Sequence, residues 1–262
     1  MKRADELLVD LSLVKSRSKA RAIIEEGKVF VNGKAVDKPS RKYPEDTIFE
    51  ISAENASLRY VSRAGLKLEE FLNHFQVSLQ DLRILDAGAS TGGFTDCALQ
   101  HGAMESVCVD IGSGQLHSKL LNDPRVTNYE KTDVRNLTPE FFDGKLFDFI
   151  CADLSFISLE KILPFLVPLL KTNSKMACLI KPQFETSAKI MRKNKGVIRD
   201  SETMLAAVEK IRTFAQTNFP EMEIMGIIES PIKGGDGNTE YLIGMYKTKK
   251  CYPKIEINIC NL

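Results

Sequence analysis

The segment that most constrains the fold is a glycine-rich turn between an apolar strand and a helix. It runs from Ile84 to Phe94 and reads Ile-Leu-Asp-Ala-Gly-Ala-Ser-Thr-Gly-Gly-Phe. Gly88, Gly92 and Gly93 let the backbone turn sharply and approach a ligand closely, and the following helix presents free N–H groups at its start. The pattern is typical of a nucleotide-type cofactor site. Because glycine turns alone are weak signals, a tight turn without a ligand is the alternative.

Two common cofactor motifs do not match this turn. A dinucleotide fingerprint has glycine at the third position counted from Gly88, where this chain has Ser90, so a pyrophosphate would meet a side chain. A phosphate-binding loop has lysine and then serine or threonine after its last glycine, where this chain has Phe94 and Thr95 after Gly93. NAD and ATP are therefore disfavoured.

The acidic residues near the turn favour a different cofactor. Asp86 ends the first strand, and Asp110 ends a second apolar strand, where its carboxylate can accept both hydroxyls of a ribose. This arrangement resembles the S-adenosylmethionine site of class I methyltransferases. Asp133 follows the third predicted strand and is expected to contact adenine, with a plain surface aspartate as the alternative. The expected cofactor-binding residues are Asp86, Gly88, Ser90, Thr91, Gly92, Gly93, Phe94, Asp110, Asp133 and Asp153.

Composition and charge exclude several classes of protein. The chain has 262 residues, of which 43% are hydrophobic and 27% charged, as is ordinary for a globular protein. Its longest apolar block, Ile162 to Leu170, is too short to cross a bilayer, and its first residues lack the apolar core of a signal peptide. We therefore expect a cytoplasmic protein with no membrane partner. Since the net charge is only +1, any nucleic acid must be bound through local basic patches.

The cysteines and histidines predict neither a metal site nor disulfides. No Cys-x-x-Cys pair occurs, and no histidine lies at ligand spacing from a cysteine or carboxylate. The residues considered are Cys97, Cys108, Cys151, Cys178, Cys251, Cys260, His74, His101 and His117. We interpret the thiols in apolar runs as small hydrophobic side chains.

The N-terminal fifth of the chain predicts a small α+β unit. Apolar residues first recur at helical spacing and then at strand spacing, and Asn32-Gly33 is a strong hairpin signal. The predicted helices are Ala4 to Leu11 and Ser18 to Ile24, the second ended by Gly27; the predicted strands are Val29 to Val31, Lys34 to Val36 and Thr47 to Ile51.

A basic run lies in this unit. Four cations and no acid occur between Lys15 and Arg21. With Arg3-Ala-Asp-Glu-Leu-Leu-Val and the segment from Ser16 to Lys34, this run resembles the S4 RNA-binding domain. The resemblance implies contacts to phosphates of structured RNA, whereas a solvated charged face is the alternative. The expected RNA-binding residues are Arg3, Lys15, Arg17, Lys19, Arg21 and Arg63.

From Arg83 onward, apolar strands alternate with helical segments. Seven such strands predict an α/β fold with a mostly parallel sheet covered on both faces, which is the Rossmann-like architecture of a class I methyltransferase. The strands are expected at 83–87, 106–110, 126–129, 147–152, 175–180, 224–228 and 241–246, after an amphipathic helix at 63–75. The expected domains are an S4-like domain at 1–59, a linker at 60–62, a methyltransferase domain at 63–248 and a C-terminal extension at 249–262.

Two charged residues follow strands at the sheet edge where ligands bind in this fold. Asp153 follows the fourth strand, and Lys181 follows five apolar residues of the fifth. A buried lysine needs a partner, for which Asp153 is suited; a purely structural ion pair is the alternative. The run Asp153-Leu-Ser-Phe156 lacks the Asn/Asp-Pro-Pro-Tyr/Phe motif of amino-group methyltransferases, and Cys151 lies inside a strand. A hydroxyl acceptor therefore fits better than a base nitrogen or carbon.

Two more residues complete a set of four. Lys67 ends the run Val61-Ser-Arg-Ala-Gly-Leu-Lys, and Glu240 ends a glycine-rich run from Ser230. The catalytic candidates are Lys67, Asp153, Lys181 and Glu240. Their order and context resemble the Lys-Asp-Lys-Glu tetrad of FtsJ-like 2′-O-ribose methyltransferases. With the S4-like segment, the chain resembles the TlyA family of rRNA 2′-O-methyltransferases, historically also called haemolysins.

This resemblance implies an enzyme that methylates a ribose 2′-hydroxyl, that of cytidine, in ribosomal RNA or ribosomal subunits. Lys181 would accept the hydroxyl proton or stabilise the alkoxide, while Asp153 and Glu240 orient the lysines. We expect a monomer with no metal. The alternatives are a non-catalytic RNA-binding or ribosome-assembly factor, a small-molecule O-methyltransferase, which would leave the S4-like segment unexplained, and a haemolysin, for which no segment is long enough to span a membrane.

Overall fold

The computed structural model describes residues 1–25, 28–31, 34–51, 59–194, 196–234 and 237–249. Contacts divide the chain into two units, Met1–Leu66 and Lys67–Leu262. Three predicted features lie outside the described residues: the helix end at Gly27, the hairpin turn Asn32-Gly33 and nearly all of the C-terminal extension.

Among the residues that the structure describes before Gly65, the N-terminal unit has two short helices and five short strands. They are β1 (Lys2–Arg3), α1 (Ala4–Asp10), α2 (Arg17–Glu25), β2 (Val29–Val31), β3 (Lys34–Ala35), β4 (Lys42–Tyr43) and β5 (Glu50–Ile51). Strand β2 pairs antiparallel with β3 and β5, and β1 pairs antiparallel with β4. Leu7 of α1 and Ile23 of α2 belong to one buried apolar cluster. The last strand is shorter than predicted, because the N–H of Thr47 bonds the carbonyl of Pro44 in a turn.

The rest of the chain alternates helices and strands, as the sequence predicted. The helices are α3 (Gly65–His74), α4 (Gly93–Gln100), α5 (Ser118–Leu121), α6 (Leu163–Leu166), α7 (Pro182–Glu185), α8 (Ala188–Lys193) and α9 (Ser201–Asn218). The strands are β6 (Arg83–Ala87), β7 (Glu105–Val109), β8 (Val126–Tyr129), β9 (Phe147–Ala152), β10 (Leu170–Ile180), β11 (Met222–Glu229) and β12 (Tyr241–Lys247). Within the described part of the chain, no helix combines the length and the apolar character needed to cross a membrane.

A seven-stranded sheet forms the centre of the second unit. Its strand order is β11-β12-β10-β9-β6-β7-β8. The strands from β10 to β8 pair in parallel, whereas β12 is antiparallel to β10 and β11. The neighbouring residues Ile84 and Leu85 of β6 face opposite sides of the sheet and are both fully buried, so both faces are covered. This confirms the predicted α/β fold with a mostly parallel sheet.

The strand order reverses at β6. Strand β7 lies on one side of β6 and β9 on the other. The strands that follow β6 in the chain are therefore added on both sides of it. In open α/β sheets the crevice at such a reversal, beyond the carboxyl ends of the strands, is where ligands bind. Asp110, Asp153 and Lys181 each stand one residue beyond the strand that carries them. The fold therefore places these three charged residues at the ligand-binding edge.

Candidate active site

The glycine-rich turn begins at the end of β6. Gly88 has a φ of +85°, and a Cβ there would lie 2.7 Å from the carbonyl oxygen of Asp153, so the turn requires glycine at this position. Ser90 also has a positive φ, +48°, and its N–H donates a hydrogen bond of 2.8 Å to Oδ2 of Asp110. These contacts bring the ends of β6, β7 and β9 together.

A cavity of about 530 Å³ lies at this edge of the sheet. The loops after β6, β7, β8 and β9 all contribute to its lining. Three carboxylates line it, those of Asp110, Asp133 and Asp153, among apolar side chains such as Ile111 and Leu154. An apolar lining with a few convergent polar groups is typical of a site for a small organic ligand.

Asp110 and Asp133 line the cavity but already have partners within the protein. The two oxygens of Asp110 accept the N–H groups of Ser90, at 2.8 Å, and Gly112, at 2.7 Å. Asp133 forms an ion pair with Arg135, with a shortest distance of 2.6 Å, and hydrogen bonds from Arg135 lower the pKa of Asp133. Because a carboxylate can accept about four hydrogen bonds, Asp110 retains capacity for a ligand, whereas Asp133, whose two oxygens already accept three N–H donors of Arg135, has room for at most one more. Sequence reasoning missed Arg135, which also lines the cavity.

Several expected cofactor residues do not line this cavity, namely Asp86, Thr91, Gly92, Gly93 and Phe94. Asp86 is buried, and its Oδ2 accepts hydrogen bonds from the N–H and the hydroxyl of Thr95, at 3.0 and 2.7 Å. Gly92 has a φ of +88°, and a Cβ there would collide with Leu116 and Leu120. Asp86 thus has a hydrogen-bond partner within the protein, and Gly92 has a structural reason to be glycine. The contact of either residue with a cofactor stays a prediction.

The four catalytic candidates meet in one chain of ion pairs. Lys67 Nζ lies 2.7 Å from Glu240 Oε2 and 3.0 Å from Asp153 Oδ2. Lys181 Nζ lies 2.6 Å from Asp153 Oδ1. Glu240 reaches this edge because it precedes β12, which runs antiparallel to β10 with Tyr241 opposite Ile180. The order of contacts is therefore Glu240, Lys67, Asp153 and Lys181.

This tetrad is largely shielded from water. The side chains of Lys67 and Lys181 are each 8% exposed and that of Glu240 3%, whereas Asp153 is 16% exposed and lines the cavity. Burial opposes ionisation of Asp153, but the two lysines outweigh it and lower the pKa of Asp153. Buried ion pairs also occur as purely structural features. The position of Asp153 on the cavity wall is what makes this cluster a candidate active site.

Two cavity residues beside the tetrad were missed by sequence reasoning. The hydroxyl of Ser155 accepts a hydrogen bond of 2.9 Å from Lys181 Nζ. Phe156 is 90% exposed with a φ of +64°, and its ring lies 5.1 Å from that of Phe184. An exposed aromatic residue in the left-handed region is uncommon and often marks a functional position. Its place in the run that follows Asp153 was the available signal.

The expected RNA-binding residues all lie in the N-terminal unit: Arg3, Lys15, Arg17, Lys19, Arg21 and Arg63. The three arginines of β1 and α2 gather around the carboxylate of Asp5. Lys19 Nζ instead donates a hydrogen bond of 2.9 Å to the carbonyl of Tyr60. The structure thus brings Arg3, Arg17 and Arg21 together on one carboxylate, and sequence reasoning missed Asp5.

The described residues contain no group of three His, Cys, Asp or Glu side chains that could hold a metal ion. Four cysteines, Cys97, Cys108, Cys151 and Cys178, are buried free thiols. Burial raises the pKa of the Cys151 thiol well above its ordinary value, so this residue is unsuited to act as a nucleophile.

Comparison with protein families assigns both units. Residues 60–247 match the FtsJ-like methyltransferase model. The chain belongs to the FtsJ-like methyltransferase family. Residues 2–48 match the S4 domain model, which confirms the S4 resemblance of the N-terminal segment. The predicted class I methyltransferase fold is confirmed as well.

Individual relatives in this family match almost the whole chain. YqxC of Bacillus subtilis is 42% identical, over 93% of this chain and 85% of its own length. The 16S/23S rRNA (cytidine-2′-O)-methyltransferase TlyA of Mycobacterium tuberculosis is 38% identical, over 92% of this chain and 88% of its own length. A solved structure described as a hemolysin from Streptococcus thermophilus is 38% identical and covers 97% of this chain and 91% of that chain, with a TM-score of 0.74. These matches confirm the resemblance to the TlyA family.

Proposed function

We propose that this protein transfers a methyl group from S-adenosylmethionine to the 2′-hydroxyl of a cytidine in ribosomal RNA. The observation that carries the proposal is the tetrad at the cavity: Asp153 lines the cavity and pairs with Lys67 and Lys181. The cytidine-2′-O specificity and the rRNA substrate of the M. tuberculosis relative support the choice of acceptor.

The cavity residues fit S-adenosylmethionine. A volume of about 530 Å³ lies within the range of about 300–1,000 Å³ that small-ligand sites occupy. Asp110, at the end of β7, would accept the ribose hydroxyls of the cofactor, and Asp133 would accept a hydrogen bond from the adenine amino group. When bound, the cofactor supplies a sulfonium methyl group that is already activated for transfer.

The residues of the chain would prepare the acceptor hydroxyl, which holds its proton at neutral pH and is a poor nucleophile. Lys181 Nζ lies 2.6 Å from Asp153 and 2.9 Å from Ser155, so it is placed to accept the hydroxyl proton as a neutral amine or, as an ammonium group, to donate a hydrogen bond to the developing alkoxide. Asp153 orients both lysines, and Glu240 holds Lys67. Such acid–base assistance typically contributes about 10²–10⁴-fold to the rate, and alignment of the reacting atoms contributes further.

The S4 domain supports folded RNA as the acceptor. Its cations can neutralise phosphates, and such contacts recognise the shape of a folded RNA more than its sequence. Ribosomal RNA, free or within ribosomal subunits, has the required folded helices. A small-molecule acceptor would leave this domain without a role.

The decisive experiment is methyl transfer from radiolabelled S-adenosylmethionine to ribosomal subunits that lack the modification. Lys181→Ala should lower the rate at least about 100-fold, while cofactor affinity measured by calorimetry stays within about threefold, because Lys181 does not line the cavity. Lys171→Ala is the matched control: it removes a 44% exposed lysine of β10, the strand that Lys181 follows, and this lysine pairs with Asp148. Full activity of Lys181→Ala would exclude Lys181 from the mechanism. A parent protein that binds RNA but transfers no label would favour the non-catalytic assembly factor.

A further inference from the structure

One buried carboxylate of the S4 domain holds three arginines. Asp5 is fully buried, and its two oxygens accept hydrogen bonds of 2.8 and 3.1 Å from Nε and Nη2 of Arg3. Oδ2 also accepts from Nη2 of Arg17, at 3.3 Å, and from Nε of Arg21, at 3.1 Å. Since Asp5 lies on α1, Arg3 on β1 and the other two arginines on α2, this single carboxylate ties three elements together.

The arginines stay accessible although their partner does not. The side chains of Arg3, Arg17 and Arg21 are 32%, 51% and 54% exposed. Arg17 and Arg21 lie four residues apart on α2, so they share one face of the helix. Arg21 uses only Nε for Asp5, and Arg3 uses only Nε and Nη2, so Asp5 leaves the other N–H donors of both groups available. The result is a surface of three guanidinium groups with N–H donors that Asp5 does not use.

This arginine cluster, Arg3, Arg17 and Arg21 around Asp5, carries an excess of positive charge. Three guanidinium charges against one carboxylate leave a net charge of +2. The hydrogen bonds from Arg3, followed by those from Arg21 and Arg17, outweigh burial and hold the pKa of Asp5 well below its usual range. Asp5 is therefore ionised at neutral pH. Glu6, the next acidic residue, contacts only Arg17, at 3.3 Å, and is 35% exposed.

We propose that Asp5 is a positioning residue that arranges the arginine cluster to bind neighbouring phosphates of folded RNA, an inference that rests on the RNA substrate proposed above. Guanidinium groups match the oxygens of phosphate in a two-point geometry that ammonium groups cannot form. An unrestrained arginine loses side-chain entropy when it binds. Asp5 restrains three such side chains before RNA arrives, so less of this cost falls on binding.

The proposal predicts the opposite of what net charge alone predicts. Removing an acidic residue from a basic surface should strengthen RNA binding when only charge matters. Asp5→Asn should weaken binding, because three guanidinium groups lose the carboxylate that fixes them. Glu6→Gln is the matched control: it removes the same charge one residue away and releases only Arg17.

The test uses the full chain with two kinds of RNA probe. Anisotropy of a fluorescein-labelled RNA hairpin gives Kd over a series of KCl concentrations, and methyl transfer to ribosomal subunits gives KM and kcat. Asp5→Asn should raise Kd and KM at least about tenfold with kcat within about twofold, and should lower the salt slope of Kd by about one to two, since each phosphate contact contributes about 0.9. Glu6→Gln should bind as tightly as the parent or more tightly. Equal affinity of the two variants would overturn the proposal.

Folding is measured separately, because Asp5 also connects three elements. Hydrogen exchange of peptides from α1 and α2 reports whether the S4 domain of each variant is intact. If Asp5→Asn loses protection, Arg21→Lys decides, because it keeps the positive charge but lacks the Nε donor to Asp5. Arg21→Lys should raise Kd at least about threefold with protection retained, and unchanged affinity would refute the positioning role. A parent protein that binds RNA without methylating it would contradict the proposed function and leave this comparison of affinities standing.

Discussion

Lys181 and Asp153 form an ion pair with one member in the interior and the other on the wall of the cavity. The distance from Lys181 Nζ to Asp153 Oδ1 is 2.6 Å, and the lysine side chain is only 8% exposed. The second oxygen of Asp153 lies 3.0 Å from Lys67 Nζ. One carboxylate therefore sets the position of two lysines relative to any ligand in the cavity.

Asp153→Asn should lower kcat at least about 100-fold. The amide keeps the shape of the side chain, but the charge that balances Lys67 and Lys181 is lost. Glu240 is then the one carboxylate of the tetrad that balances two buried ammonium groups. Breaking a buried ion pair in this way typically costs about 3–5 kcal/mol of stability. Asp148→Asn is the control, because it alters an aspartate of β9, the strand that Asp153 follows, and the partner of Asp148, Lys171, is 44% exposed. Single-turnover methylation at saturating cofactor separates the two variants, and parental activity of Asp153→Asn would contradict the assignment.

Phe156→Ala should raise KM for RNA about 5- to 160-fold, because stacking of a base on an aromatic ring is worth about 1–3 kcal/mol. The ring of Phe156 is 90% exposed at the cavity and rests against Phe184, so it is placed to stack on the base of the target nucleotide. Phe141→Ala tests a phenylalanine that is 41% exposed and packs edge-to-face against Tyr129, but does not line the cavity. Steady-state methylation with varied RNA is the measurement. Equal KM values for both variants would remove Phe156 from the acceptor site.

Gly92→Ala should destabilise the methyltransferase domain and weaken cofactor binding. The φ of +88° already strains any residue with a Cβ, and this Cβ would also clash with the Cδ1 methyl groups of Leu116 and Leu120, so these two side chains would have to shift. Gly114→Ala provides the comparison, since Gly114 has a φ of +67° but nothing lies within 4 Å of its Cβ. Both variants carry backbone strain, about 1 kcal/mol or more, and only the first adds a steric clash. Thermal unfolding should give a lower Tm for Gly92→Ala than for Gly114→Ala, and calorimetric titration with S-adenosylmethionine should give a weaker affinity. Equal Tm and equal affinity of the two variants would show that the leucine contacts are unimportant.

The contribution of Asp86 to the stability of the methyltransferase domain should decrease as pH rises. Burial raises the pKa of Asp86 to about 7 from an ordinary 3.8, although hydrogen bonds from Thr95 oppose the shift. Between these two values the folded state holds a proton that the unfolded state has released, so this contribution favours folding at low pH and is lost as pH rises through about 7. The difference amounts to at most about 4 kcal/mol. Asp153 acts in the opposite sense. Its pKa is lowered in the folded state, so its contribution to stability is present above the ordinary pKa of an aspartate, 3.8, and is lost as pH falls below that value.

Hydrogen exchange of peptides from β6 and β7, measured from pH 4 to 8 and corrected for intrinsic rates, tests this contribution. Local exchange is preferable to a single unfolding curve, because a chain of two units need not unfold in one step. Asp86→Asn cannot ionise and should flatten the decline of protection between about pH 4 and 7. An unchanged slope in the variant would show that Asp86 does not titrate in this window.

Much of the fold was predictable from local pattern. The strand, glycine turn and helix around Gly88, and the seven alternating strands, follow from apolar runs and turn residues that act over a few positions. Their bounds were correct to within a few residues, and the largest difference is β10, which begins at Leu170 rather than Lys175 because it continues across a register shift. The family resemblance, also read from the sequence, is confirmed by the matching models.

The candidate site was predictable only in part. Motif order named the tetrad, and the structure brings its members together although Lys67 and Glu240 are 173 positions apart. Ser155, Phe156 and Arg135 were missed. A single serine or arginine carries no signal until its neighbours in space are known, and the signal for Phe156 was its place in the run that follows Asp153. The positive φ of Gly92 and the two leucines beside it give a structural reason for glycine at this position, and its contact with a cofactor stays a prediction.

The sequence by itself determined the kinds of element, their order, and the glycine turn that a ligand-binding strand end requires. These follow from periodicity and backbone freedom, which depend on residues close together in the chain. The tertiary structure alone decided which partner each charge has: that Asp153 serves two lysines, that Asp86 anchors a helix through Thr95, and that Asp5 collects three arginines. Partners are decided at that level because ion pairs and hydrogen bonds form between atoms that only chain folding brings within about 3 Å.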